Sequence, residues 1–382
     1  MTEALDVICY YHAPIKAPLL REAVLPALTH VTDGPVTGHL ERHWRHGPHV
    51  RIRLFGPAAA LSTAAGEVAD RLRDYLAAHP SRAGLTEAQL LAQAEAAGKA
   101  ELVPPPYTPI YPDNTIRVEP VDVSDLVELL GSTEAVTCRH TLLAAGVPTV
   151  STSVAWLAQR GDSAAARVEL TVTALTAHAT TYPLGFGPGQ QSYVSHLEDF
   201  LLYSDQDGRL RRGFETHWAR HGEAVTALVS RIVKGNNPSP VAAAWRNWSA
   251  DVWSTTDQVY QRGGLPTAPG ESYTRRARQV GDPATARRWD PELRTEYSEF
   301  HRMFNQIDYS RIGRQREFTV YRFTTNVLYL LLSLCDVQPI ERYLAAYLVG
   351  RAAERVTGLT WQQRIERYLA AQAAETERVS LT

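Results

Sequence analysis

The chain has 382 residues, of which 44% are hydrophobic and 21% charged, a composition that suits one large globular domain or two ordinary ones. Lysine and arginine total 39 against 41 acidic residues, so a net charge of −2 argues against a nucleic-acid or membrane-surface partner. The three cysteines form no CxxC pair, which argues against a cysteine zinc site and suits a cytoplasmic protein. No signal peptide and no membrane-spanning run are expected.

Strands and helices alternate in the first third of the chain. Apolar or alternating runs predict strands over 5–11, 49–55 and 115–121, and helical spacing predicts helices over 19–31, 58–79 and 87–97. The proline-rich stretch 103–114 cannot continue a helix, because proline lacks the backbone N–H.

Helices dominate the rest of the chain. They are predicted within 124–178, over 192–202, 209–234 and 240–262, and from Phe318 onward, with a glycine-rich loop at 183–191 and an exposed loop at 263–295. The order indicates an α+β fold with an early mixed or antiparallel sheet and a helix-rich C-terminal two-thirds. We expect a single domain over 1–382, with an α+β part of about 1–122 and a helical part of about 123–382.

The segment 46–54, HGPHVRIRL, carries the most informative polar pattern. Successive strand side chains point to opposite faces, so His49, Arg51 and Arg53 share one face and the apolar residues between them share the other. Two neighbouring guanidinium groups need an anion or carboxylates between them. The face is therefore either an anion-binding surface or a solvated surface paired with acidic neighbours, and we expect replacement of either arginine to leave the fold largely intact.

Four histidines, His39, His43, His46 and His49, are spaced 4, 3 and 3 residues apart. On a helix the first three share a face, which superficially resembles a run of metal ligands. Glu41 points elsewhere on such a helix, and no cysteine lies nearby. The pattern therefore favours a surface histidine cluster over a metal site.

Ser192, Tyr193 and His196 follow the glycine-rich loop at the start of a helix. Ser192 and His196 lie on one helical face, but no GxSxG turn is present to support a serine hydrolase. His196 is either a general acid or base or a structural histidine.

Polar side chains also interrupt the late apolar helix. Arg322, Asn326 and Tyr329 come after Tyr321. They are spaced four and three residues apart from one another, which places those three on one helical face. Such groups need hydrogen-bond partners or a polar cavity. The face is either a helix–helix contact or the wall of a pocket.

Three segments in this order resemble a known family. HGPHVRIRL, SYVSHLEDFLLYSDQDGRLRRGFETHW and NVLYLLLSLCDVQPIERYLAAYLVGRAAERV are similar to motifs of the C-terminal domain family of lantibiotic dehydratases and stand-alone thiopeptide maturation proteins. The opening YYHAP and LLREAVLPAL also fit, so the resemblance covers nearly the whole chain. It implies the fold of the glutamate-elimination domain of those dehydratases.

The resemblance implies one of two activities. One is elimination of glutamate from glutamylated Ser or Thr; the other is a formal aza-[4+2] cycloaddition of two dehydroalanines that makes a pyridine. Elimination members use the strand arginines, an arginine in an RYGG-like segment and a helix histidine. Here Arg117 is the nearest equivalent without that pattern, and 324–329 reads TTNVLY with no histidine. The missing general acid or base favours the cycloaddition.

The resulting prediction is a cofactor-free pyridine synthase without metal, acting on a ribosomally made precursor peptide that carries a leader and a dehydrated core. The predicted catalytic residues are Tyr193, His196, Tyr321 and Asn326, and the predicted substrate-binding residues are His49, Arg51, Arg53, Ser192, Arg322 and Tyr329. The alternatives are a split glutamate-elimination subunit and a non-catalytic leader-binding partner. The oligomeric state stays open, with a homodimer as one alternative.

Overall fold

The computed structural model describes residues 3–237, 239–266, 270–310 and 313–380, apart from the side chains of 270, 271 and 375–380. Two compact units are present, and each combines several stretches of the chain. The first comprises Met1–Ala155, Gly264–Thr295 and Tyr329–Asp336, and the second comprises Trp156–Gly263, Glu296–Leu328 and Val337–Thr382. The fold is α+β as predicted, while the single-domain assignment stays a prediction.

The first unit contains an antiparallel sheet of four strands in the order β2-β3-β1-β4. The strands are β1 (Glu3–Tyr10), β2 (Thr37–His43), β3 (His49–Gly56) and β4 (Thr115–Pro120). Its other elements are α1 (Ala17–Leu19), a π-helical segment (Leu20–Val24), α2 (Leu25–Val31), α3 (Ala58–Ala78), α4 (Glu87–Glu101) and α5 (Ser124–Leu130). The three predicted strands and the helices between them are confirmed.

Strand β2 was not predicted, and it corrects the helical interpretation of the histidine run. Leu40 and Gly38 face one side of the sheet while His39, Glu41 and His43 face the other, so the segment has a period of two. Both faces of this strand are largely buried, and the polar residues on one face disguised the alternation.

Two helices occupy the segment 263–295, which was predicted to be an exposed loop. They are α12 (Gly270–Val280) and α13 (Pro283–Trp289). The residues that suggested a loop lie at helix ends: Gly281 has a φ of 77° between the helices, and Pro283 begins α13, where its missing N–H costs nothing. The Asp282 side chain accepts a hydrogen bond from the Thr285 N–H at 2.9 Å and caps α13.

The second unit is helical. It contains α7 (Ala164–Thr180), α8 (Phe186–Gly189), α9 (Gln191–Ser204), α10 (Arg209–Val233), α11 (Pro240–Gln261), α14 (Glu299–Phe304), α16 (Pro339–Thr357) and α17 (Trp361–Ser380). Helices α6 (Thr133–Ala158) and α15 (Gln315–Leu334) contribute residues to both units. The predicted loop at 183–191 includes the single helical turn of α8, because Pro188 lies within a first turn that needs no N–H from it.

Helix α6 is, by length and composition, long and apolar enough to cross a membrane, alone among the described helices. It carries Arg139 and His140, which bond to Glu41 and His39 of strand β2. Such contacts are typical of a core helix packed on a sheet, and one apolar helix is weak evidence for a membrane span.

Candidate functional site

The predicted face of strand β3 exists but is largely closed. Val50, Ile52 and Leu54 are completely buried on one side, as expected. On the other side His49 is 1% exposed and Arg53 is 2% exposed, and only the Arg51 side chain reaches an intermediate exposure of 25%. The solvated surface that the sequence suggested is therefore absent around His49 and Arg53.

A carboxylate from the neighbouring strand separates the two arginines. Arg53 donates from Nε and Nη2 to the two oxygens of Asp6, both at 2.8 Å, and Arg51 Nε lies 3.4 Å from the same carboxylate. Burial disfavours the charge of Arg53, yet its hydrogen bonds to Asp6 raise the pKa of the guanidinium. Because Arg53 is buried in a bidentate ion pair, its replacement is expected to cost stability, which revises the expectation for that residue.

The histidine run is a buried polar layer, which corrects the surface cluster. His39 Nε2 lies 2.8 Å from Nδ1 of His140 on helix α6, and the His43 and His49 rings stack at 5.7 Å between centroids. Burial lowers the pKa of His39 to about 3 and that of His140 to about 4. These imidazoles are therefore neutral near pH 7.

Donor atoms of His39, Glu41 and His140 lie within 4.8 Å of one another, a spacing that a metal ion could bridge. The Glu41 carboxylate, however, already accepts from both terminal nitrogens of Arg139. The positive charges of Arg139 and Arg53 both oppose a proton on the nearby His140 imidazole, and they would oppose a divalent cation for the same reason. The geometry permits a metal, but the surrounding charge does not favour one.

The second unit contains a cavity of about 90 Å³ beside the start of helix α9. Its lining is mainly aromatic and polar: Tyr182, Pro188, Gly189, Gln191, Ser192, Ser195, His196, Phe304, Tyr309, Phe318, Tyr321, Arg322 and Tyr368. Small-molecule sites usually measure about 300–1,000 Å³, so this cavity suits one planar group of a larger ligand.

Four of the predicted site residues line this cavity: Ser192, His196, Tyr321 and Arg322. His196 is partly buried, and desolvation lowers its pKa to about 4, so the imidazole is a neutral acceptor or donor near pH 7. Helix α9 contributes Ser192 and His196 one turn apart, and α15 contributes the other two. The two helices therefore meet at this cavity.

Other predicted residues lie elsewhere. Asn326 is exposed, and neither it nor the half-buried Tyr329 lines the cavity. The structure therefore does not bring the whole predicted polar face to the pocket, because the helix advances 1.5 Å per residue and Tyr329 lies about 10 Å beyond Arg322 along its axis. Tyr193 is completely buried behind the cavity wall.

The hydrogen bonds of Tyr193 set the direction of the Tyr321 hydroxyl. Tyr193 donates its single proton to the carbonyl of Leu175 at 3.0 Å, and the two phenol oxygens are 2.9 Å apart. A phenol has one proton, so Tyr321 must donate to Tyr193 while this arrangement lasts. In this arrangement the Tyr321 hydroxyl has no proton left to donate to a ligand.

Behind Tyr321 lies His178, a residue that the sequence interpretation missed. The two rings stack at 4.8 Å with 13° between their planes, and the His178 nitrogens lie 3.0 Å from Ser249 Oγ and 3.2 Å from Thr325 Oγ1. Burial lowers the pKa of His178 to about 3, so the ring is neutral. His178 therefore positions Tyr321 through a packed contact. Its one sequence signal is a histidine in the apolar and threonine-rich second half of helix α7.

Three further tyrosines line the cavity and were not predicted: Tyr182, Tyr309 and Tyr368. They come from the segment just after α7, the segment before α15, and α17, and no motif links them in the sequence. The Tyr309 ring stacks on Phe318 at 4.3 Å, so part of the wall is a flat aromatic surface.

A second cavity in the same unit is larger, about 370 Å³, and is lined mainly by apolar residues of α7 and α10. It contains the adjacent rings of His217 and His221, with 4.6 Å between centroids. None of the predicted site residues lies there. The smaller cavity has the richer set of convergent polar groups, and we take it as the candidate site.

Comparison with known proteins agrees with the fold and the motifs. Residues 5–353 match the family described as lantibiotic biosynthesis dehydratase C-term. Among solved structures, the chain is similar to a pyridine synthase, TbtD, from thiomuracin biosynthesis, with a TM-score of 0.68 and 21% identity over 93% of this chain and 99% of that one. It is also similar to TsrL, with a TM-score of 0.62 and 17% identity over 96% and 99% of the two chains. No curated protein sequence matches.

Proposed function

Because this chain belongs to the lantibiotic biosynthesis dehydratase C-terminal family, we propose that it matures a ribosomally made peptide as a pyridine synthase. The substrate is a precursor with a leader and a core that contains two dehydroalanines. The observation that carries the proposal is the cavity itself, where neutral His196 and the oriented Tyr321 hydroxyl lie among aromatic walls. The structural likeness to the pyridine synthase TbtD supports it.

The reaction depends on shifting an amide of the substrate to its imidic-acid tautomer, and it does not need a strong base. An amide next to one dehydroalanine must move its proton from nitrogen to oxygen to become an aza-diene. The Tyr321 oxygen, whose own proton is directed to Tyr193, is suited to accept the amide N–H. Two new carbon–carbon bonds then close the ring, and loss of water and of the leader as an amide makes it aromatic without an oxidant.

Positioning supplies much of the rate. Holding two distant dehydroalanines together makes their reaction effectively unimolecular, an advantage of up to about 7–11 kcal/mol in well-oriented cases. The cavity admits only a small planar part of the peptide, so leader recognition belongs outside it. We expect a cytoplasmic location for such a protein and no need for a metal or redox cofactor.

Glutamate elimination is the second candidate, and it has less support. It requires strand arginines that are free to hold the departing glutamate, yet Arg53 is buried in an ion pair with Asp6. Arg117, the nearest substitute for the second arginine, is paired with Glu119. The late helix carries no histidine at 324–329.

The test is single-turnover mass spectrometry on a leader-bearing peptide with two dehydroalanines, alongside a glutamylated peptide. We expect ring formation with loss of water and leader from the first peptide. Release of glutamate from the second would overturn the proposal in favour of the elimination reaction, and tight peptide binding without any mass change would overturn it in favour of a leader-binding partner.

Tyr321→Phe tests the site directly. It should slow ring formation about tenfold or more while unfolding free energy falls by about 1 kcal/mol, the cost of one lost hydrogen bond. Leader affinity, measured by titration, should not change. Tyr343→Phe is the matched control, because that ring stacks on Phe200 away from the cavity lining and should turn over normally. Normal turnover by Tyr321→Phe would remove Tyr321 from the active site.

A further inference from the structure

The hydroxyl groups of Tyr182, Tyr309 and Tyr368 are a feature that the proposed reaction has not used. All three side chains line the cavity, yet none of the hydroxyls hydrogen-bonds to any part of the chain that the structure describes. None of the three phenol oxygens is among the fully buried, unpartnered polar atoms of the described residues, so their lack of a protein partner leaves them open to the cavity. Three such hydroxyls are available as donors to a ligand.

The hydroxyl protons of these three tyrosines are not committed to a protein acceptor, unlike the hydroxyl proton of Tyr321. The Tyr321 proton is directed to Tyr193, whereas the three hydroxyl protons have no protein acceptor. Burial raises the pKa of Tyr182, of Tyr309 and of Tyr368, so all three keep their protons near neutral pH. The cavity thus combines one acceptor with three donors.

The surroundings favour an electron-rich, planar ligand. Arg364 lies beside Tyr368, is 7% exposed, and donates to Thr357 Oγ1 and to the Leu359 carbonyl. Burial lowers the pKa of its guanidinium, and the nearby Glu354 partly offsets that effect. The positive charge of Arg364 favours partial negative charge on a ligand oxygen. The ring of Phe304 lies 5.9 Å from that of Tyr309 and 6.5 Å from that of Phe318 between centroids, so the three rings form a wall that matches a flat group.

We propose that Tyr182, Tyr309 and Tyr368 form a donor cluster that binds the carbonyl oxygen of a conjugated, planar amide of the substrate. This rests on the proposed function, in which the amide moves its own proton from nitrogen to oxygen with no net gain or loss, while Tyr321 accepts a hydrogen bond on the nitrogen side. The cluster stabilises the oxygen side of that shift. The donor cluster thereby holds the oxygen of the amide, and the Tyr321 acceptor holds its N–H.

The test uses N-acetyl-dehydroalanine methylamide as the probe, with binding measured by ligand-observed NMR on the full chain. Each of Tyr182→Phe, Tyr309→Phe and Tyr368→Phe should weaken probe binding about fivefold, as expected for one lost neutral hydrogen bond. The melting temperature should stay at the wild-type value, because no protein hydrogen bond is removed. Tyr343→Phe should change neither property.

Two results of the binding and melting measurements would overturn the donor cluster. One is unchanged probe affinity in all three variants. The other is a loss of melting temperature as large as that of Tyr321→Phe, which would mean that the hydroxyls serve the protein. The proposed function is judged separately, by ring formation. Hydroxyl-dependent probe binding without any ring formation would retain the donor cluster and reject the pyridine synthase. Normal ring formation in all three variants would retain the pyridine synthase and reject the donor cluster.

Discussion

Single buried charges in the sheet depend on partners that come from other strands. Arg53 and Asp6 are 47 residues apart in the chain and face each other in the register of β3 and β1. The alternation of HVRIRL is sufficient to predict the strand and its apolar face. The alternation does not reveal which carboxylate pairs with the arginines or whether a helix covers that face of the strand, since both depend on elements elsewhere in the chain.

Arg53→Ala and Arg51→Ala are expected to differ in stability, although the two residues lie two positions apart. Loss of Arg53 leaves Asp6 buried at 5% exposure with only the more distant Arg51, which should cost about 3–5 kcal/mol. Loss of Arg51, which is partly exposed, should cost about 1 kcal/mol. Urea unfolding of both variants measures the difference, and equal losses would contradict the assignment of Asp6 to Arg53.

At the scale of elements, most strands and helices follow from periodicity, and the failures have identifiable causes. The segment 37–43 forms a strand whose buried face is polar, and 270–289 forms two helices whose ends carry the glycine and proline. Helix α1 begins where the Asp336 carboxylate accepts from the N–H groups of Lys16 and Ala17, and Asp336 lies about 320 residues further along the chain. Local sequence cannot reveal such a distant partner.

Gly189 is a point where two elements approach closely. A Cβ there would lie 2.6 Å from the Ala179 carbonyl oxygen and 3.0 Å from Tyr182 Cβ, so the turn of α8 packs directly against the end of α7. Gly189→Ala should cost about 1–3 kcal/mol through overpacking, and it should weaken probe binding by displacing Tyr182. Denaturant unfolding and the NMR titration measure the two effects.

Gly213→Ala is the matched control for that substitution. Gly213 lies within helix α10 and a Cβ there would meet nothing within 4 Å. Alanine is the better helix former by about 1 kcal/mol, so this variant should be as stable as the wild type or more so. If both alanine variants behaved alike, the close packing of α8 on α7 would be wrong.

At the scale of the whole molecule, the cavity is assembled from segments that no motif connects. Ser192 and His196 come from the helix after a glycine-rich stretch, and their place at a pocket was inferred from residue chemistry and family resemblance together. Tyr182, Tyr309 and Tyr368 were not found, because a lone tyrosine in an amphipathic segment is indistinguishable from a core residue until the chain is folded. Asn326 stays a prediction: its side chain is exposed and lies outside the lining of this cavity.

Burial of neutral histidines throughout the chain predicts acid sensitivity. Desolvation lowers the pKa to about 3 for His39, His43 and His178 and to about 4 for His140 and His196. In the unfolded chain each titrates near its ordinary value of about 6.5. Between pH 6.5 and 4 the unfolded state therefore binds more protons, so stability must fall as the pH falls through this window.

Urea unfolding measured at half-unit steps from pH 7 to 5 should show that decline, and a single substitution should change its slope. His178→Asn removes one buried histidine, so the dependence of unfolding free energy on pH should become shallower by up to about 1.4 kcal/mol per unit near pH 5. The exposed His79 provides the comparison, and His79→Asn should keep the wild-type slope. A flat profile in the wild type, or equal slopes in wild type and His178→Asn, would show that His178 is protonated within the folded protein and would remove the neutral ring on which Tyr321 stacks.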